Sequence, residues 1–168
     1  DGFHPVAVTP GPLAPALKTD FPEVAATARI GRWAGLLQYE EQSAEPKDML
    51  IVDKTIFQIF DFQFIKGNVK SSFDTPEEII ITETMATLFF GIDWQHKNIL
   101  GQTIILNDFQ KIPLKLVGVI KNLPGNSHLQ ANVLLPFKYL EKYDTPNTDK
   151  WNSNNYHTYL QLKPETNI

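Results

Sequence analysis

No cysteine occurs anywhere in the chain. That excludes disulfides and every thiolate metal site. It leaves the compartment open, because many exported domains also lack cysteine. Positive charge is in short supply too: 15 Lys and Arg stand against 19 Asp and Glu, for a net charge of −4. Without a basic surplus a chain has little to neutralise phosphates with, so a nucleic-acid partner is not expected. No apolar run approaches the ~18 residues that a bilayer-spanning helix needs. The N-terminus carries neither a starting Met nor the basic, apolar and small segments of a signal peptide. A chain that opens Asp1-Gly2-Phe3-His4-Pro5 and closes Pro164-Glu165-Thr166-Asn167-Ile168 leads us to expect a piece excised from something longer.

Catalytic signatures are also missing. No glycine-rich turn leads into Lys-Ser or Lys-Thr, no dinucleotide fingerprint follows a strand, and no Gly-x-Ser-x-Gly elbow exists. The histidines His4, His96, His128 and His157 are scattered, and none forms the i,i+4 pair of a helical zinc site. Ser127-His128 lies in a Pro-Gly turn, where such residues more often bond local backbone than act as nucleophile and base. Glu77, Glu78 and Glu83 form an acidic group, but glycoside hydrolysis needs two carboxyls ~5–10 Å apart across a sugar cleft. A solvated strand edge is the plainer home for them. Trp33, Trp94 and Trp151 are spread along the chain, which favours packing over sugar stacking for at least two of them. No catalytic residue, cofactor or metal ligand is expected.

What is present is core. Of 168 residues 42% are hydrophobic, and 11 Phe, 5 Tyr and 3 Trp supply aromatic packing for one domain or two small lobes. The central stretch runs from Glu77 to Gly101. Ile79-Ile80-Ile81 reads as a buried strand, Thr82 as a helix N-cap, and Glu83 as a charge near the positive end of the helix dipole. Met85, Ala86, Leu88, Phe89 and Phe90 form a broad apolar helix face, and Gly91 is a left-handed stop.

Before this, residues 1–12 read as an extended lead-in with Pro5, Pro10 and Pro12. Pro12 to Asp20 is predicted helical, with Leu13 and Leu17 on one face. Val24 to Tyr39 is predicted as a long strand that loosens at Gly31 and Gly35. It pairs in hairpin fashion with Met49–Val52 across an exposed polar turn, Gln42–Lys47. Thr55 caps a short helix, and Phe57, Phe60, Phe62 and Phe64 pack in the core. Lys70 to Pro76 reads as a polar loop.

After it, strands are predicted at Gly101–Asn107 and Pro113–Ile120 around a tip at Asp108–Lys111. The alternation puts Leu114, Leu116 and Gly118 on one face and Lys115, Val117 and Val119 on the other. A strand at Gln130–Pro136, a helix at Phe137–Tyr143, a polar loop at Thr145–Asn155 and a strand at Tyr156–Lys163 with one covered face complete the chain. Helices and hairpins are mixed rather than alternating in βαβ units, so the fold class is α+β.

Taken in order, TIFQIFDFQFIKG, EEIIITETMATLFFG, ILGQTIIL, LKLVGVIKNLPGNSHLQANVLLPF and TYLQLKP, with Asp20-Phe21-Pro22-Glu23-Val24 ahead of them, resemble the MacB/FtsX-like family of ABC transporter permeases. They resemble its extracytoplasmic, MacB-like periplasmic core domain. The Phe-rich segment and the Ser127-His128 turn are most similar to Bacteroidetes-type versions. The resemblance runs from about residue 13 to the C-terminus, and each segment is structural.

The resemblance implies a two-lobed α+β periplasmic domain of mixed sheets with short helices, the second lobe inserted in the first. Residues 1–12 would lead in from a membrane helix, 13–168 would form the domain, and the inserted lobe would cover roughly 64–121. It implies a non-catalytic part of a permease in the cell inner membrane, lying in the periplasm and coupling ATP-driven change to an extracytoplasmic substrate or partner. Export, lipoprotein release and mechanotransmission are the roles in that family. The implied partners are a cytoplasmic ABC ATPase, a second permease copy or homologue in a homodimer or heterodimer, and a periplasmic protein. Family members continue past the last strand with a further helix and strand.

Two other readings compete. One is a secreted or surface carbohydrate-binding or hydrolase domain, motivated by the residues around Trp151 and Glu77. The other is a periplasmic scaffold with no transporter. Exposed tips are the natural contact points, so Ser43, Glu45, Lys47, Asp108, Phe109 and Lys111 are the candidate partner contacts.

Overall fold

A computed structural model of the chain describes residues 7–144 and 148–166. Gly2, His4 and Pro5 of the lead-in, and Thr145 to Asn147 of the predicted polar loop, lie outside the described residues. In chain order the elements are β1 (Thr9–Pro10), α1 (Leu13–Asp20), β2 (Val24–Trp33), β3 (Leu36–Tyr39), β4 (Gln42–Ala44), β5 (Met49–Val52), α2 (Ile56–Ile59), β6 (Phe64–Gly67) and β7 (Glu78–Thr82). They continue as α3 (Glu83–Phe90), a 3-10 turn at Trp94–His96, β8 (Thr103–Asn107), β9 (Lys111–Ile120), β10 (Val133–Pro136), α4 (Phe137–Tyr143) and β11 (Asn154–Leu162). The α+β class follows from this mixture.

One sheet takes all the strands, in the order β1-β11-β2-β5-β10-β7-β9-β8-β3-β4, with β6 alongside β9. β2 and β3 are parts of one chain run, separated only by Ala34 and Gly35. At ~3.5 Å per residue that link reaches little more than ~10 Å. Yet β2 and β3 stand at opposite ends of a path through β5, β10, β7, β9 and β8. The path therefore curls until β3 returns to the end of β2, joined to it there by Ala34 and Gly35 rather than by strand pairing. Gly35 sits at the closure. A Cβ there would come within 2.6 Å of Leu106 Cδ1, so a side chain at this position would push into β8.

The core divides between the two faces of the curled sheet. One cluster gathers Leu37, Met49, Ile51, Ile79, Ile81, Ile104, Leu106, Leu114, Leu116, Val133 and Leu135 from the ring, with Met85, Phe89 and Phe90 of α3 and Phe137, Tyr139 and Leu140 of α4. The other joins Ala28, Ile30, Leu50, Val52, Ile80, Ile120 and Leu134 to Ile56 of α2, Phe62 and Phe73. Ile79, Ile80 and Ile81 are wholly buried because β7 is covered on both faces. Each contributes about 1.5–3 kcal/mol of apolar burial. The segment 64–121 supplies β6 to β9 and α3 as a contiguous block of the sheet. That block bonds to β10 through β7 and to β3 through β8, and it shares the first cluster with the remainder.

Several local expectations need correction. The hairpin turn is at Glu40-Glu41, not Gln42–Lys47; Glu40 takes φ 51, and Gln42–Ala44 is a strand paired with β3. Its polar residues hid it, because only Ala44 faces the core. The long strand breaks at Ala34-Gly35, after Gly31 has continued it. Within β9 the pairing with β7 skips Val117, since Ile79 opposes Leu116 and Ile80 opposes Gly118. That bulge switches the phase, so Val119 joins Leu114 and Leu116 in the first cluster while Val117 turns to the second.

Lys70–Pro76 is not a purely polar loop: Phe73 is buried in it at φ 62, and Ser72 donates to Asn68 O. Thr82 occupies the N-cap position but makes no capping bond. Thr55 likewise holds the N-cap position of α2, and its hydroxyl donates instead to Thr27 O across the sheet. Leu88 points outward from α3, 46% exposed, where it was expected on the apolar face. The last strand has no fully covered face: Tyr156 is buried, but Leu160 is 45% exposed, and among the described residues only the short β1 pairs with that edge. The phenylalanine group is as expected, with Phe57 edge-on to Phe62 and Phe64 at centroid separations of 5.2 and 5.6 Å.

Candidate functional site: an aromatic cleft under the β8–β9 tip

Ring closure brings three distant segments together. Trp33 ends β2, Asp108 and Phe109 form the tip between β8 and β9, and Tyr139 and Tyr143 lie one turn apart on α4. The Trp33 indole Nε1–H donates to Asp108 Oδ2 at 3.0 Å, tying the tip to the end of β2. Tyr139 meets Trp33 edge-on at 5.9 Å and Tyr143 at 4.9 Å between centroids. Between them is a cleft of about 380 Å³, lined by Trp33, Asp108, Phe109, Gln110, Ile112, Tyr139, Tyr143 and Asp144. Phe109 is 95% exposed at its lip. A shallower depression on the other side of Phe109 is lined by Arg32, Trp33, Ala34 and Asp108.

The electrostatics follow from this geometry. Burial pushes the Tyr139 phenol well above the usual tyrosine range, and the negative charge of Asp108 adds to it. Tyr143 is raised by burial and by its hydrogen bond to Glu77 Oε1 at 2.7 Å. Both phenols therefore stay neutral, and that of Tyr143 donates to Glu77. Glu77 is held below the usual carboxylate range by Lys142, with Tyr143 assisting.

Of the predicted contacts, Asp108 and Phe109 line the cleft, and Lys111 lies exposed at the start of β9 beside it in sequence but not in its lining. Ser43 is in β4 opposite Gln38, and Glu45 and Lys47 are exposed on the way to β5; none of the three lines the cleft. Sequence reasoning missed Trp33, Tyr139, Tyr143 and Ile112. The i,i+4 spacing of Tyr139 and Tyr143 was the one available signal, and it needed the ring closure to acquire a partner.

The remaining chemical candidates are engaged structurally. Glu78 is buried rather than on a solvated edge, and accepts from Asp74 N at 2.9 Å and Thr75 Oγ1 at 3.3 Å. Glu77 pairs with Lys142, and Glu83 accepts from Asn122 N at 3.0 Å. Ser127 Oγ accepts from Leu129 N, while His128 bonds the Tyr159 hydroxyl at 3.0 Å. Trp94 is buried and donates to Thr87 Oγ1; Trp151 is 60% exposed. A second cavity, of about 450 Å³ between α1 and α4, has Arg29 at its base. That guanidinium is committed to Asp53 at 2.8 Å and Glu141 at 3.1 Å and lies over the Phe137 ring. Among the described residues no group of three or more His, Asp or Glu side chains is placed to hold a metal ion, and no helix is long and apolar enough to cross a membrane.

No protein-family model and no curated protein matches the chain. Solved structures do. A domain of a protein described as a permease, from Porphyromonas gingivalis, superposes with a TM-score of 0.81 at 22% identity, covering 96% of this chain and 66% of that one. The periplasmic region of MacB from Actinobacillus actinomycetemcomitans matches at 0.67 and 15% identity, over 92% of this chain and 64% of its own. The extracellular domain of YknZ, a noncanonic ABC-type transporter from Gram-positive bacteria, matches at 0.67 and 16% identity, over 96% and 76%. The chain thus has the α+β fold of MacB-like extracytoplasmic permease domains, and spans about two thirds of the length of the first two.

Proposed function

We propose, starting from that fold, that the chain is the extracytoplasmic domain of an ABC-type permease in the cell inner membrane. It couples ATP-driven change in the cytoplasm to a substrate or partner outside it. The observation that carries this reading is the superposition over 96% of the chain on a permease domain at a TM-score of 0.81. The site supports a role in contact rather than in chemistry. Its side chains are aromatic rings, neutral phenols and carboxylates, and the acidic group at Glu77 and Glu78 is spent on an ion pair and on backbone rather than aimed across a cleft. That arrangement weighs against the glycoside hydrolase alternative.

A cytoplasmic ABC ATPase, as a separate subunit or a fused domain, supplies the energy, and the permease works as a homodimer or heterodimer. A periplasmic partner protein is the natural ligand of the exposed tips. The test is to express the complete gene product with an affinity tag and fractionate the cells. The membranes are then solubilised, and copurifying proteins are assayed for ATP hydrolysis. The reading expects membrane association and an associated ATPase. Recovery of the complete product in a soluble fraction with no ATPase overturns it.

A further inference from the structure

We propose that the cleft beneath Phe109 is a binding site for a cationic side chain, the guanidinium of arginine or the ammonium of lysine, presented by a peptide segment. Three observations point the same way. First, the walls are ring faces and edges: Trp33, Phe109, Tyr139 and Tyr143 surround a space of about 380 Å³. A cation over an aromatic face is attracted by the ring quadrupole, most strongly over Trp. Second, the polar groups in the lining are acceptors of the right sign. Asp108 and Asp144 both line the cleft, and no lysine, arginine or histidine does so among the described residues. The cations beside it are engaged: Arg32, in an adjoining depression, pairs with Asp48 at 3.0 Å, and Lys142, 5.1 Å from the Tyr143 ring centroid, pairs with Glu77. Third, the site is held in shape. The Trp33 indole is fixed by Asp108, and the Tyr143 hydroxyl by Glu77, so the rings are oriented before any ligand arrives.

An apolar side chain would bring no charge to meet the acidic wall at Asp108, and an anion would be repelled. A long cationic side chain satisfies both walls: its stem packs on Ile112 and the rings, and its head meets the carboxylates. Phe109 closes over the stem from the lip. The inference goes beyond the permease reading and does not rest on it. Binding is a property of this chain alone, and failure of either leaves the other standing.

The experiment is a titration of the 15N-labelled chain with N-acetyl-arginine amide, following the three Trp indole N–H signals, with N-acetyl-citrulline amide as the uncharged isostere. The Trp33 signal is expected to shift saturably with the arginine probe while that of buried Trp94 stays put. Citrulline is expected to bind at least about threefold more weakly, as are the variants Asp108→Asn and Phe109→Ala with the arginine probe. Asp108→Asn keeps an acceptor for the Trp33 indole, and Phe109 is almost fully exposed, so both variants should fold; an unchanged Trp94 signal verifies that. Equal affinity for citrulline overturns the proposal, because the cleft then does not select charge. A Trp33 signal that never moves, or arginine binding unaffected by both variants, overturns it as well.

Discussion

Replacing Thr82 with valine should make the protein more stable. Thr82 ends β7 and precedes α3, the position where a threonine ordinarily donates stability by capping the helix. Its side chain is 1% exposed, and Oγ1 has no hydrogen-bond partner among the described residues. The backbone is already provided for, since Thr82 N donates to Asn132 O at 3.0 Å. At φ −80 and ψ 166 the residue is extended, a conformation that β-branched valine favours, and the two side chains have nearly the same shape.

The substitution therefore removes a desolvated hydroxyl and leaves the packing alone. A buried polar group without a partner costs about 1–3 kcal/mol, so Thr82→Val is expected to gain about 1 kcal/mol. Loss of a working N-cap would instead cost about 0.5–2 kcal/mol, with the opposite sign. Urea unfolding separates the two. With a slope of about 2 kcal/mol/M, the midpoint should rise by about 0.5 M at unchanged slope. A lower midpoint would refute the reasoning and restore Thr82 as the cap of α3.

Four further outcomes are expected. Gly67→Ala should destabilise by about 2 kcal/mol or more in the same assay, because Gly67 has φ +75 and a Cβ would meet Val117 O at 2.2 Å; a change under half that size would contradict it. Phe73→Ala, at 1% exposure, should cost about 3–5 kcal/mol, measured as a loss of denaturation midpoint. Phe109→Ala, by contrast, should leave the unfolding free energy within about 0.5 kcal/mol of the parent, because that side chain is 95% exposed; a larger loss would show that the ring contributes to folding.

The fourth concerns pH. Glu77 is depressed in the folded chain below its ordinary 4.5, chiefly by Lys142. Its contribution is fully present above the unfolded value and is lost as pH falls through the folded one. Glu77→Gln should flatten the stability–pH curve in that acid window; an unchanged curve would show that the pairing contributes nothing.

The strand–helix unit from Glu78 to Gly91 was legible because its strongest signals agreed, three isoleucines, an apolar helix face and a glycine stop at φ 83, even though Thr82 makes no cap bond and Leu88 faces outward. The phenylalanine group and the tip at Asp108-Phe109 were legible for similar reasons. Three things were not. β4 was hidden by its polar composition, since a two-sided exposed strand has no hydrophobic alternation. The bulge at Val117 was invisible because Leu, Val and Ile fill both faces of β9 and either phase looks buried. Phe73 sat in a polar context, and only its contact with Phe57, 5.7 Å between centroids, shows why it is held inside. The cleft failed to show for a deeper reason. Its walls come from residues 33, 108–112 and 139–144, and nothing local says that the sheet curls far enough to join them.

That curl has a mechanical consequence. An open sheet is compliant: it twists about its long direction, and its outermost strands bend with little effect on the middle. A hoop is not. With β2 and β3 continuous across Ala34 and Gly35, strands at the two ends of the path are tied by the chain itself as well as through the ladders between them. Flattening one side requires sharpening another, against a core already filled by α3 and α4. β1 and β11 stand outside that circuit, paired with each other at Thr9 and Tyr156 and with β2 through β11. The ring itself would travel as one piece, and the aromatic cleft, built across its seam, would be carried with its shape intact.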